Sequence, residues 1–93
     1  MSRAYVIVSY DVPDDRRRTR LHKVLKDYGI WVQYSLFECR IREQDLVRLR
    51  DRIESVINAS EDRVSIYRVC ADCLKRVERV GSQDPYDARS LIV

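Results

Sequence analysis

The chain has 93 residues, 45% of them hydrophobic and 35% charged, with a formal net charge of +3. That is room for one compact domain burying a little over ~60% of its unfolded surface, so a multi-domain enzyme is excluded and burial against a partner would help. No run approaches the ~18 apolar residues of a membrane span, and the opening MSRAYVIV lacks a signal peptide's basic region and cleavage site; a cytoplasmic protein that engages no membrane is expected.

Ala4 to Tyr10, AYVIVSY, is a nearly unbroken β-branched and aromatic run and predicts a strand in the centre of a sheet. Pro13 ends it, and Asp14 or Asp15 supplies a side-chain oxygen to cap a helix. Leu21, Val24, Leu25 and Tyr28 give that helix one apolar stripe, and Gly29 is expected to close it as a left-handed cap. From Ile30 to Ile41 apolar residues fall on both parities, Trp31 and Phe37 on one and Tyr34 on the other, so the stretch predicts two short strands joined by a kink near Tyr34-Ser35. A second helix runs through EQDLVRLRDRIESVIN, residues 43–58, with Leu46, Leu49, Ile53, Val56 and Ile57 on its stripe. RVSIYRV alternates as a strand, and KRVERVG, with Val77 and Val80, is a shorter strand candidate.

Helices with one apolar stripe each must lie on one face of a single sheet, which makes the chain an α+β, ferredoxin-like β-α-β-β-α-β sandwich over residues 1–81. Trp31, Tyr34 and Phe37 are then available to cover the other sheet face. The tail at 82–93 ends in Leu91-Ile92-Val93; such a segment is expected to pair as an added strand on the sheet edge of a second subunit in a homodimer.

The cations divide into 15 Arg and 3 Lys. Codon bias accounts for such a ratio as readily as recognition of oxyanions by the guanidinium fork, so position has to decide. Arg16, Arg17, Arg18, Arg20, Lys23 and Lys26 face only Asp14 and Asp15 over residues 14–26. Cations in a helix's first turn oppose the macrodipole, whereas a bound phosphate there would accept from amides and guanidinium groups alike. Arg16, Arg17, Arg18 and Arg20 are therefore candidate nucleic-acid contacts, against the alternative of a solvated face, and Arg17 continues the inward stripe towards Asp11. Asp11 follows the buried strand, where a carboxylate either forms a turn or serves a hydrolytic site. A hard cation such as magnesium takes oxygen ligands, so one carboxylate is meagre and two across a dimer axis are adequate.

Tyr10, Tyr34 and Phe37 could stack on bases, or pack in the core or a dimer interface. His22 is placed at the surface or rim. Cys39, Cys70 and Cys73 are odd in number, which argues against a disulfide framework. The C-x-x-C spacing of Cys70 and Cys73 admits zinc or redox use, but the pair is read chiefly as small buried apolar residues. No P-loop, nucleophile elbow or dinucleotide fingerprint occurs, and no small-molecule substrate is expected.

Taken together, SYDVPDDRRRTRLHKVLKDYGIWVQYSLFEC and DRVSIYRVCADCLKRVERVG resemble the CRISPR-associated protein two family, the small endoribonuclease-like partner of the CRISPR integrase. The resemblance covers nearly the whole chain. It implies a ferredoxin-like homodimer whose strand-end aspartates, here Asp11, hold magnesium or another divalent ion. It also implies metal-dependent cleavage of RNA or DNA in some members, and a bridging role between integrase dimers in spacer acquisition. Tyr10 and Asp11 match the family's strand-end pair, Phe37 its phenylalanine after the Y-S dipeptide, and Arg17 or a neighbour its helix-start arginine, which makes Asp11, Tyr10 and Phe37 the candidate catalytic set. Trp31 and Val32 stand where some nuclease-active relatives carry an arginine.

Overall fold

In the computed structural model, which describes residues 3–81, β1 (Arg3–Asp11) runs through the middle of a four-stranded sheet. α1 (Asp15–Lys26) follows, then β2 (Ile30–Gln33), β3 (Leu36–Arg42), α2 (Glu43–Val56), β4 (Arg63–Val69) and a short α3 (Ala71–Lys75). The strand order is β2-β3-β1-β4, antiparallel throughout, which is the expected ferredoxin-like arrangement. The tail at 82–93 lies outside the described residues.

Alternation along β1 decides which side chains meet the helices. Ala4, Val6, Val8 and Tyr10 point into the core with Phe37, Cys39 and Ile41 of β3, and Leu21, Val24, Leu25, Leu46, Leu49 and Ile53 close over them from α1 and α2. Full burial of side chains such as Leu21, Leu25 and Leu49 contributes roughly 1.5–3 kcal/mol each. Tyr5, Ile7, Ser9 and Asp11 have the other parity and, with Leu36, Glu38 and Tyr67, belong to the opposite face. Phe37 therefore does not cover that face as expected. Its Cα pairs with Val8, so both side chains enter the core, and Trp31, paired in turn with Phe37, packs against His22 on the same side.

Asp14 is the cap of α1: its Oδ2 accepts from the Arg17 amide at 2.9 Å. Gly29 has no left-handed backbone. A Cβ there would stand 2.5 Å from the Glu38 carbonyl oxygen and collide with the Cys39 sulfur, so glycine is required by close approach to β3. Tyr34 is the non-glycine residue at positive φ, +39°, among the described residues, and it makes the expected kink between β2 and β3. The second helix stops at Val56, two residues short of expectation, because Ile57 turns extended and the Asn58 amide donates to Asp62 Oδ2 at 2.8 Å.

KRVERVG is no strand. Val77 and Val80 are exposed, and the segment is held through Arg79, whose guanidinium donates twice, each at 2.7 Å, to the buried Glu38 carboxylate on the sheet's open face. Tyr5 donates its hydroxyl to the same carboxylate. Burial raises the Glu38 pKa, but the hydrogen bonds from Arg79 and Tyr5 and the Arg79 charge outweigh it and hold the carboxyl below its usual range.

Candidate functional site

Asp11 is exposed at the end of β1, on the face away from the helices. Its Cα partner on β4 is Arg63, so a cationic and an anionic residue occupy paired positions at the end of the sheet. Sequence reasoning missed Arg63, because only strand register brings it next to Asp11; its one local signal is a cation at the first position of a strand. Among the described residues no group of three or more His, Cys, Asp or Glu side chains could hold a metal ion. A hard cation at this position would need more oxygen ligands than the Asp11 carboxylate alone supplies.

Tyr10 and Phe37 are not brought to Asp11. Both are buried, on the helix side, with ring centroids 6.4 Å apart. The Tyr10 hydroxyl lies 3.3 Å from His22 Nδ1, and desolvation pushes its pKa up. The His22 ring stands edge-on to Phe37 at 5.0 Å and to Trp31 at 5.6 Å. His22 is half-buried at the rim of the core, where its ring links three aromatic residues.

The four arginines separate into two kinds. Arg17 clamps Asp62, with Nε 2.7 Å from Oδ2 and Nη2 3.1 Å from Oδ1, while Nη2 also reaches Glu61 at 2.9 Å. The hydrogen bond from Arg17 holds the Asp62 carboxyl below its usual range against the effect of burial, aided by the Asn58 amide. Arg18 folds back on the Val12 carbonyl at 2.9 Å and pairs with Asp15. Arg16 and Arg20 are exposed and make no ion pair among the described residues, which leaves their forks open to phosphate.

The cysteine pair is exposed, contrary to the expectation of burial; only Cys39 is buried. Cys70 caps α3, its sulfur accepting from the Cys73 amide at 3.2 Å, and this bond lowers the Cys70 pKa, while the hydrogen bond with Cys70 raises that of Cys73. The pair opens the short helix α3 directly after β4. No helix among the described residues is long and apolar enough to cross a membrane.

A β2-β3-β1-β4 sheet with both long helices on one face and a strand-end carboxylate on the other defines a ferredoxin-like α+β protein built around the end of its first strand. The chain belongs to the family described as CRISPR associated protein Cas2, whose profile matches residues 4–77. A CRISPR-associated endoribonuclease Cas2 from Thermus thermophilus is 37% identical over 89% of this chain and 88% of its own. One from Synechocystis is 36% identical over 96% of this chain and 98% of its own. Among solved structures, Streptococcus pyogenes Cas2 superposes with a TM-score of 0.72 at 30% identity, covering 83% of this chain and 99% of that one. A chain of a partial Cas6-RT-Cas1–Cas2 complex gives 0.71 at 28% identity, covering 83% of this chain and 90% of that one.

Proposed function

We propose that this protein serves CRISPR adaptation in the cytoplasm as a homodimeric, divalent-metal-dependent nuclease that cuts RNA or DNA phosphodiesters at a site built from the Asp11 carboxylates of two copies. The observation that carries this reading is the position of Asp11, exposed at the end of the central strand in a chain whose relatives are named endoribonucleases. Sheet faces with half-buried Ile7 and Leu36 and an exposed Tyr67 gain by stacking against a second copy, and that stacking is what would supply the second carboxylate. When bound there, magnesium supplies neutralisation of phosphate charge and a water of lowered pKa.

The chain's own residues then have distinct tasks. The Asp11 carboxylates of the two copies would hold the ion. Arg16 and Arg20 hold phosphate oxygens beside the helix start, and Arg63 adds positive charge next to Asp11. Tyr10 and Phe37 act as positioning residues, since both lie in the core beneath the strand end.

The test is cleavage of labelled RNA and DNA by the purified protein with magnesium or with chelator. Hydrolysis should require the metal and be lost in Asp11→Asn; metal-independent cleavage, or an Asp11→Asn variant as active as the parent, would overturn the assignment. A second reading is a non-catalytic scaffold that bridges integrase dimers on DNA, favoured by the likeness to a chain in a Cas1–Cas2 complex and by the free forks of Arg16 and Arg20. Under it, Asp11→Asn leaves spacer acquisition intact while Arg16→Ala with Arg20→Ala abolishes it.

A further inference from the structure

Between α1 and the turn joining β2 to β3 lies an open cleft of about 490 Å³. Tyr10 and His22 form part of its wall, Trp31 and Tyr34 its lip, and Lys23 and Lys26 its rim. Three features set it apart from ordinary surface. Tyr34 is 88% exposed and Trp31, with His22 against it, still 53% exposed, so two large aromatic rings keep much of their surface in water. The Trp31 indole is fixed, its Nε1–H donating to the Tyr34 carbonyl at 2.7 Å across a turn in which Tyr34 adopts φ +39°, a conformation that non-glycine residues seldom take. Among the described residues, the lining also includes Arg18 alongside the two lysines and contains no carboxylate.

Exposed ring faces beside concentrated cations match a ligand that is aromatic and anionic at once. A nucleotide has that chemistry, and the cleft has the size of a small-ligand site. Base pairs inside a duplex hide their faces in the stack, so the base must be unpaired. We infer that this cleft binds one unpaired nucleotide of a single strand, its base stacked on Trp31 and Tyr34 and its flanking phosphates on Lys23 and Lys26. The His22 ring, with Nδ1 already engaged by the Tyr10 hydroxyl, presents Nε2 as the nitrogen for a base edge.

The inference rests on the reading of the protein as a nucleic-acid binder, but the cleft is distinct from the proposed hydrolytic position. Tyr10 faces the helices and Asp11 the opposite side of the sheet, so an unpaired end can be held on one face while phosphates are engaged on the other.

Trp31 is the only tryptophan in the chain, and its emission reports on this cleft directly. The experiment titrates the full-length protein with a short labelled oligothymidylate and, separately, with a blunt duplex of the same length, reading Trp31 fluorescence and label anisotropy together. The single strand should quench Trp31 saturably and the duplex should not. Tyr34→Ala should weaken single-strand binding about tenfold while sparing the duplex. Lys23→Gln with Lys26→Gln should lower the salt slope of single-strand binding by about 1.4. All three residues are exposed, so the variants keep the fold. A single strand that binds by anisotropy without changing Trp31 emission, or with equal affinity for Tyr34→Ala, would overturn the cleft assignment and leave the nucleic-acid reading standing. Absence of binding to either ligand would remove both.

Discussion

Arg17 and Asp62, 45 residues apart, meet side to side through two hydrogen bonds of 2.7 and 3.1 Å, and Asp62 takes a third from the Asn58 amide. The contact ties the first turn of α1 to the loop that enters β4. Its carboxylate is fully buried and the guanidinium mostly so, which makes this pair part of the fold rather than of a binding surface.

Arg17→Ala should therefore lower the melting temperature by several degrees, because it leaves the Asp62 carboxylate buried without its main partner. Arg16→Ala and Arg20→Ala should leave the melting temperature unchanged and weaken DNA binding, each reducing the salt slope by about one. Thermal denaturation and binding isotherms on the three variants separate the two roles; a stable Arg17→Ala with weakened DNA binding would return Arg17 to the interface.

Acid should destabilise the protein through Asp62 and Glu38. Both carboxyls are held below their ordinary range in the folded chain. Their stabilisation is complete above the unfolded-state values of about 4 and is lost as pH falls through the depressed folded values, since the unfolded chain then binds the protons more readily. Melting temperature against pH should fall steeply below about 4 in the parent. The slope should be shallower in Asp62→Asn, and an unchanged slope would exclude the Arg17 contact as its source.

Phe37→Ala should abolish activity by loosening the core. The side chain is fully buried between Val8, Tyr10 and His22, and its loss leaves a cavity costing about 3–5 kcal/mol. Phe37→Leu should recover most of the stability and, with it, most of the activity. If Phe37→Leu were as stable as the parent but inactive, the ring itself would have to touch the substrate.

Fold and site were legible to different degrees. Both helices announce themselves through apolar spacing, and Asp14 through its place before the first turn, because those are contacts within a few residues. The partner of Arg17 lies in another loop, and Arg63 reaches Asp11 through strand register; neither relation has a local signature. The side of the sheet taken by Phe37 was equally hidden, since both parities of the stretch 30–41 are apolar and pairing with β1 decides between them. A glycine after a helix usually signals a left-handed cap, whereas at Gly29 the requirement is the crowding from β3.

The three thiols should react in a fixed order. Cys70, with its pKa lowered by the Cys73 amide, should alkylate first near neutral pH, ahead of Cys73. Cys39, buried and pushed up to about 11, should label only on unfolding. Mass spectrometry of a timed iodoacetamide reaction checks the order; early labelling of Cys39 would mean that the sheet opens readily around β3.

Tyr10 and Asp11 are neighbours in sequence that the pleat sends to opposite faces of one strand. A deletion of one residue within β1 would reverse that assignment, driving a carboxylate into the hydrocarbon interior and turning a tyrosine out to solvent. Homologues should accordingly vary in composition along this strand far more freely than in the number of residues it contains, and insertions should gather in the loops at either end.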